Sequence, residues 1–401
     1  MLDTTLGRGY ADDYAVSWPM ATAPSAQEVD SSDARHYNRI RRRLSVLDAV
    51  LGLAVLGALL VTGWTMDLRD LAYRGDHSYG VALALYVVLL SVIAKVVGLG
   101  LDYYSFRLEH QFHLSNQKFG SWLWDQFKGW LVGLVISILL AEIIYGLIRW
   151  QPQTWWITAW IVFVVLFILF AQIAPVVLFP IFYKFRPLEN EELKQRLVTL
   201  GERAGTRVRG VYEWKLSEKS KKANAALTGL GNTRRIILAD TLLTNYSADE
   251  IESVLAHELG HHVHKHILKS IIVQAVVTFI GFWAVKSMIR VAVQREWFSA
   301  QSDFANLPLL VLVTSMVSLL LMPALNAWSR YNERQADRYA WHSTGQVAPF
   351  ISSMNKLADQ NLAERSPSRW VELLFHSHPA VSKRVAAAEA WAEKNQLSAR
   401  S

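Results

Sequence analysis

Six long apolar runs, separated by polar segments, frame this chain. They lie at roughly Val46–Thr65, Tyr79–Leu101, Trp130–Leu147, Trp155–Tyr183, Ile267–Ala292 and Leu307–Trp328. Each is near the ~20 residues that a helix needs to cross the hydrocarbon core of a bilayer, so each predicts a membrane span. The fourth carries Pro175 and Pro180, which predict a kink or an early exit. The fifth contains Lys269 and Lys286, and Lys269 lies near enough to its end to snorkel. Residues 1–43 read as a polar tail that lacks the apolar core of a cleavable leader. Residues 44–183 then form an N-terminal membrane domain of four spans.

The polar stretch between the fourth and fifth spans has its own periodicities. Leu193, Leu197 and Leu200 recur at helical spacing within Glu189–Ala204. Val208–Trp214 and Arg234–Ala239 read as strands, and Gly229-Leu230-Gly231-Asn232 between them is turn chemistry. Ser247 and Glu250 have the spacing of a capping box, so a helix is predicted from Ala248 onward. Two or three further helices are expected after the sixth span. The fold class is mainly α: a polytopic membrane protein with a small zincin-like α+β domain between the fourth and fifth spans. That domain, 184–401, contains the last two spans (267–292 and 307–328) and is completed by the C-terminal helices.

Composition agrees with this division. Of 401 residues, 52% are hydrophobic and 19% charged, which implies several spans joined to a water-facing part. The net charge of +7 accompanies no nucleic-acid motif, so no nucleic-acid partner is expected. The basic residues flank the spans instead. Arg35, Arg39, Arg41, Arg42 and Arg43 precede the first span, and Arg107, Lys118 and Lys128 follow the second. The alternate segments 66–78, 148–154 and 293–306 hold few. By the positive-inside tendency, both termini and the 184–266 region face the cytoplasm. Asn245-Tyr246-Ser247 fits a glycosylation sequon but lies on that side and is discounted. With no cysteine, disulfides and thiolate ligands are excluded, so a metal must be held by His, Asp or Glu.

The candidate chemistry lies on the capped helix. His257-Glu258-Leu259-Gly260-His261 is an H-E-x-x-H motif, in which His257 and His261 share a face and Glu258 stands beside them as a general base. The motif also occurs by chance in helices. Catalytic zinc usually takes a third protein ligand. Spans five and six form a hairpin, so the run Ser329–Asp337 returns to the side of the motif, with Glu333 as ligand and Asp337 as partner of a ligand histidine. A solvated helix face is the bland alternative for that pair. His262 and His264 read as solvated side chains, and His266 is the one of that tract placed to support a ligand. Lys95 and Glu142 fit chamber lining and span ends equally well.

These residues carry a resemblance. The chain resembles the type I CAAX prenyl proteases, integral-membrane zinc metalloendopeptidases, over roughly residues 85–390, and looks like a prokaryotic member. The ordered matches are Leu108-Glu109-His110 with Leu114-Ser115-Asn116-Gln117, Pro180 through Leu188, Asn224-Ala225 with the strand Arg234–Asp240, the H-E-x-x-H helix, Glu333 through Asp337, and His378-Pro379 with Arg384. The resemblance implies one zinc ion per chain on His257, His261 and Glu333, with Glu258 as base and proton shuttle. Asn224 and Ala225, on an edge strand, would bind the substrate backbone. His378 would donate to the oxyanion, with Arg384 in support and His376 as a nearby rival. The expected partners are the lipid bilayer and a peptide or protein substrate, membrane-associated or prenylated as in the family. Two departures stand out: eukaryotic members have one more N-terminal span, and Ser220-Lys221-Lys222-Ala223 replaces a frequent His-Ser pair before Asn224. The polar insertion often found before the zinc helix is also absent. The rival readings are an HtpX-like protease of membrane-protein quality control and a silent zinc-binding scaffold. Four spans before the domain disfavour the first, and an intact Glu258 disfavours the second.

Overall fold

The structure is a computed structural model, and it describes residues 30–229 and 234–395. The polar tail up to residue 29 and positions 230–232 of the expected turn lie outside the described residues. Helix α1 (Ser32–Val61) begins inside the segment expected as tail. Two observations account for this: the Ser31 side chain accepts from Ala34 N, and Tyr37 is buried against Leu108 and Leu114. After Gly63, in a left-handed conformation, comes the short α2 (Trp64–Ala72). Helices α3 (Tyr79–Gln111), α4 (Phe119–Trp150) and α5 (Trp155–Ile173) follow. At Pro175 the chain makes a π-helical turn (Ala174–Leu178), continues as α6 (Phe179–Phe182), and turns extended at Tyr183. A proline cannot donate to the preceding turn, and a π-bulge absorbs that defect.

The water-facing unit contains four strands in the order β1-β2-β4-β3. They are β1 (Phe185–Pro187), β2 (Gly210–Trp214), β3 (Ala225–Thr228) and β4 (Arg235–Ala239). The central pair β2–β4 is parallel, while β1 and β3 run antiparallel to their neighbours. Helix α7 (Glu191–Arg203) lies between β1 and β2, and α8 (Asp240–Asn245) leads from β4 into α9 (Ala248–Val263). A core of Leu197, Ile236, Leu238, Leu242, Leu255 and Leu259 joins the sheet to α7 and α9. Lys265, in a left-handed conformation, separates α9 from α10 (His266–Gln294).

Helix α11 (Leu307–Thr344) makes a hairpin with α10 and runs unbroken from its apolar part into the water-facing unit. Helices α12 (Val347–Gln360), α13 (Arg369–Phe375) and α14 (Val381–Lys394) close that unit. Six helices among the described residues are long and apolar enough to cross a membrane: α1, α3, α4, the α5–α6 stretch, α10 and α11. A second core ties the spans together at the end away from the sheet. There Tyr145 donates to Asn306 Oδ1 (2.6 Å) and Thr65 to the Ala305 carbonyl (2.5 Å), so these two buried hydroxyls are satisfied.

The capping box of α9 is formed in both directions. Glu250 N donates to Ser247 Oγ (3.3 Å), and Ser247 N donates to Glu250 Oε2 (2.7 Å). Burial pushes the Glu250 carboxyl upward, but Lys356 at 2.8 Å, Ser352 and the Ser247 N–H outweigh it and hold the pKa below the usual range. A depressed carboxyl pKa contributes stability that is present above the unfolded value of about 4.3 and is lost as pH falls through the folded value. Glu250→Gln should therefore lower the thermal midpoint of the detergent-solubilised chain at pH 7. The gap to wild type should close as the pH is taken below about 4. An equal gap at both pH values would sever the link between this carboxylate and the stability of α9.

Candidate metal centre and active site

The site is built where α9 meets α11. A Cβ added to Gly260 would stand 2.8 Å from Ala336 Cα and 2.9 Å from the Ala336 carbonyl oxygen. The two backbones thus touch where any side chain on residue 260 would force them apart. That approach brings Glu333, one turn before Ala336 on α11, to the face of α9 carrying His257 and His261.

The three side chains converge on one point, each histidine through Nε2 and Glu333 through both carboxylate oxygens. His257 Nε2 and His261 Nε2 are 3.2 Å apart, His257 Nε2 is 3.3 Å from Glu333 Oε2, and His261 Nε2 is 3.3 Å from Glu333 Oε1. Zinc bonds of 2.0–2.1 Å at the tetrahedral angle put ligand atoms roughly 3.3–3.4 Å apart. The histidine pair and each histidine-to-carboxylate distance therefore match edges of a zinc tetrahedron, with one atom of each residue lying within 4.8 Å of the other two. His257 and Glu333 are buried and His261 half-buried. Glu333 Oε2 is buried and makes no well-aligned hydrogen bond among the described residues; the groups that approach it are the imidazole nitrogens of His257 (3.3 Å) and His378 (2.8 Å).

Both histidines are fixed from behind. Asp337, fully buried and one turn beyond Glu333, lies 2.9 Å from His257 Nδ1. Its carboxylate also accepts from Arg384 Nη2 (2.6 Å) and Nε (2.9 Å), a bidentate pair from α14. Asp337 thereby accepts a hydrogen bond from His257 Nδ1–H and leaves Nε2 for the metal. A parallel relay serves His261. Gln335 Oε1 accepts from His266 Nε2 (2.9 Å), so His266 Nδ1 accepts from His261 Nδ1 (3.0 Å), and again Nε2 is turned to the metal position. Burial pulls the His257 pKa down, but the carboxylates of Asp337 and Glu333 more than reverse this and push it up to about 10. The same negative charge that retains a proton there favours a metal cation in its place.

Glu258 points into a cavity of about 330 Å3. Leu227 and Gly229 at the end of β3, Arg234, and His262 line it from the water-facing side, and Phe167, Ala171 and Ile271 from the spans. Asn224 is exposed immediately before the edge strand β3, with its carbonyl accepting from Ala239 N and its side chain free of that ladder. Ala225 pairs with Leu238, and among the described residues the other edge of β3 is open. His378 is 62% exposed, in the loop between α13 and α14, with Nδ1 2.8 Å from Glu333 Oε2. Arg384, expected in support of His378, is instead committed to Asp337 behind the metal ligands. His376 is fixed by its carbonyl, which accepts from Arg330 Nη1 (2.6 Å).

Three contributors escaped the sequence reading. Gly260 occupies a variable position of H-E-x-x-H, and only the α9–α11 contact reveals its role. Gln335 carries no charge or motif. Arg330 is buried and donates to the Glu372 and His376 carbonyls, holding the His378 loop against α11. A basic residue three positions before the third ligand was a visible but unspecific signal.

A capped H-E-x-x-H helix completed by a glutamate that a membrane hairpin returns to it defines a membrane-embedded metallopeptidase. Comparison with known proteins places this one further. The chain belongs to peptidase family M48, whose family model matches residues 187–392. A second model, described as the CAAX prenyl protease N-terminal region with five membrane helices, matches residues 14–184. Among the described residues that stretch holds four candidate spans and the short α2. The chain is 30% identical to the uncharacterized metalloprotease YhfN of Bacillus subtilis, over 89% of this chain and 84% of that protein. It is 29% identical to CAAX prenyl protease 1 of Saccharomyces cerevisiae, over 90% and 86%. The crystal structure of S. mikatae Ste24p superimposes with a TM-score of 0.82 at 25% identity, covering 92% of each chain. The protein is thus an integral-membrane metalloendopeptidase with the fold of the CAAX prenyl proteases.

Gly260→Ala should separate α9 from α11 without touching a ligand. The expected result is a stable chain that binds Zn2+ at least about tenfold more weakly in a chelator-competition titration, the size seen when support of a ligand set is lost. Wild-type affinity would show that the close contact does not set the ligand triangle.

Proposed function

We propose that this chain is a zinc-dependent endopeptidase that cleaves membrane-associated peptides or proteins, prenylated ones among them, on the cytoplasmic side of a prokaryotic plasma membrane. The observation that carries the reading is the cavity at Glu258: one wall belongs to the edge strand β3 and the other to apolar residues of the spans. Such a site accepts an extended peptide whose attached lipid or apolar segment stays among the helices. The names of the curated relatives point to the same substrate class. The arginines Arg35 to Arg43 before the first span support the cytoplasmic orientation.

His257, His261 and Glu333 hold the zinc, which when bound polarises water and carbonyl oxygen and lowers the pKa of that water toward neutrality. Asp337 and Arg384 orient His257, and His266 with Gln335 orients His261. The peptide adds along the open edge of β3, aligned by Ala225 and by the Asn224 side chain. Glu258 removes the proton from the attacking water and later delivers it to the leaving amine nitrogen. His378, exposed beside Glu333, donates to the oxyanion.

Glu258→Gln should lower kcat/KM on a cleaved peptide by about 10²–10⁴-fold, the range of a lost general base, and leave the Zn2+ content near one per chain. Glu333→Ala should lose the zinc itself by elemental analysis. Peptidase activity retained in the first variant, or full zinc in the second, would remove those residues from their assigned roles.

A further inference from the structure

The catalytic cavity contains a cation for which the mechanism has no use. Arg234 lines it together with Glu258, and no carboxylate among the described residues pairs with its guanidinium. The side chain is half-buried and held in place. Its Nη1 donates to Thr206 Oγ1 (3.1 Å), a hydroxyl that is almost fully buried, and to His262 Nε2 (3.0 Å). The remaining donors, Nε and Nη2, have no partner among the described residues. These two form the edge of a guanidinium that grips a carboxylate side by side. Burial pulls the Arg234 pKa down and no charged neighbour offsets it, in contrast to Arg384 or Arg186. A partly desolvated cation without a counter-ion is costly, and a fold that fixes one in a binding cavity leaves the counter-ion to the ligand.

The position within the sheet says which part of a ligand arrives there. Arg235 pairs with Thr228, so Arg234 stands one step beyond the end of β3 that lies opposite Asn224. A peptide laid along Ala225–Thr228, about 13 Å of strand at roughly 3.3 Å per residue, would run from Asn224 toward Arg234. His262, which Arg234 contacts, is one turn beyond Glu258 on the same face of α9, so the guanidinium is close to the bond being cut.

We propose that Arg234 is the anion-recognition residue of this active site and takes a carboxylate of the bound peptide, borne within a few residues of the scissile bond. The inference rests on the peptidase reading for its ligand. It makes the enzyme selective for substrates whose cleaved stretch ends in a free C-terminus or carries an acidic side chain.

Binding to the full-length Glu258→Gln chain in detergent tests this without turnover. The probes are randomised hexapeptide pools with an uncharged N-terminal fluorophore in three forms: free C-terminal carboxylate, C-terminal amide, and C-terminal amide with Asp fixed at the fifth position. A carboxylate-bearing pool is expected to bind at least about tenfold tighter than the plain amide, the worth of one charge-assisted pair. Adding Arg234→Gln should bring that ratio near one, and Arg234→Lys, which keeps the charge but not the fork, should fall between. Preference for the free acid alone identifies the C-terminus as the source; equal preference for the Asp pool identifies the side chain. Equal binding of all three pools, or a preference that survives Arg234→Gln, overturns the proposal. Carboxylate preference in a chain whose Glu258 form cleaves none of the pools would instead sink the peptidase reading and leave the anion site standing.

Discussion

The site depends on a contact between two backbones. Gly260 lets α9 lie against Ala336 of α11 at a distance that excludes even a methyl group. Everything the chemistry needs is spaced from that point. His257 and His261 flank Gly260 on α9, and Glu333 and Asp337 flank Ala336 on α11. One close crossing therefore sets both the ligand triangle and the buried hydrogen bond that orients His257. Helices held apart by ordinary side chains sit 8–10 Å from axis to axis. A glutamate would reach across such a gap only with a mobile side chain, and its carboxylate would lose the fixed spacing to two imidazoles.

The charges around that crossing explain why α13 and α14 belong to the catalytic unit. Asp337 is buried with no solvent to screen it, and its partners are His257 and the buried Arg384. Removing one member of such a group costs about 3–5 kcal/mol because a charge is left without compensation. The C-terminal helix is thus locked to the metal helix by electrostatics as well as by the apolar core around Phe350. Arg330 does the same for the loop that carries His378, through two carbonyls rather than a carboxylate. A short exposed loop would otherwise be free to move at the position proposed to meet a developing oxyanion.

Much of this was legible in the chain, and the limits have physical reasons. Apolar runs of about 20 residues announce their spans because lipid leaves the backbone no alternative to a helix. The six runs correspond to the six candidate helices, and the capping box at Ser247 marked the start of α9 to the residue. Strand β1 escapes notice and β3 is implied only by the family resemblance, because they are three and four residues long and β3 is half-buried throughout, so neither shows alternation. The start of α1 was read as tail because its arginines look solvated, whereas Tyr37 beneath them is buried. Among site residues, charge and spacing identified the histidines, Glu333 and Asp337. Gly260 and Gln335 act through packing and through the tautomer of a neighbour, and such roles leave no trace in composition.

The approach to the edge strand shows why the membrane domain and the peptidase unit act as one. The segment Lys219–Asn224 is gripped before it becomes β3. Asn116 N donates to the Lys219 carbonyl and Lys221 N to the Leu114 carbonyl, which ties it to the loop between α3 and α4. Lys222 Nζ reaches Glu109 on α3 (2.9 Å) and Tyr37 on α1 (3.1 Å). Asn361, following α12, exchanges hydrogen bonds with the Ala223 amide and carbonyl. Spans one and two and a C-terminal helix therefore all converge on the residues just before Asn224. A strand of four residues with one open edge has little stability of its own. Held this way, it presents a fixed line of hydrogen-bonding groups to a substrate, and its position follows the membrane helices. Here Ser220-Lys221-Lys222-Ala223 is explained without reference to substrate: Lys222 is the ion-pair partner that fastens the edge strand to the spans, and a different residue at that position requires a different fastening.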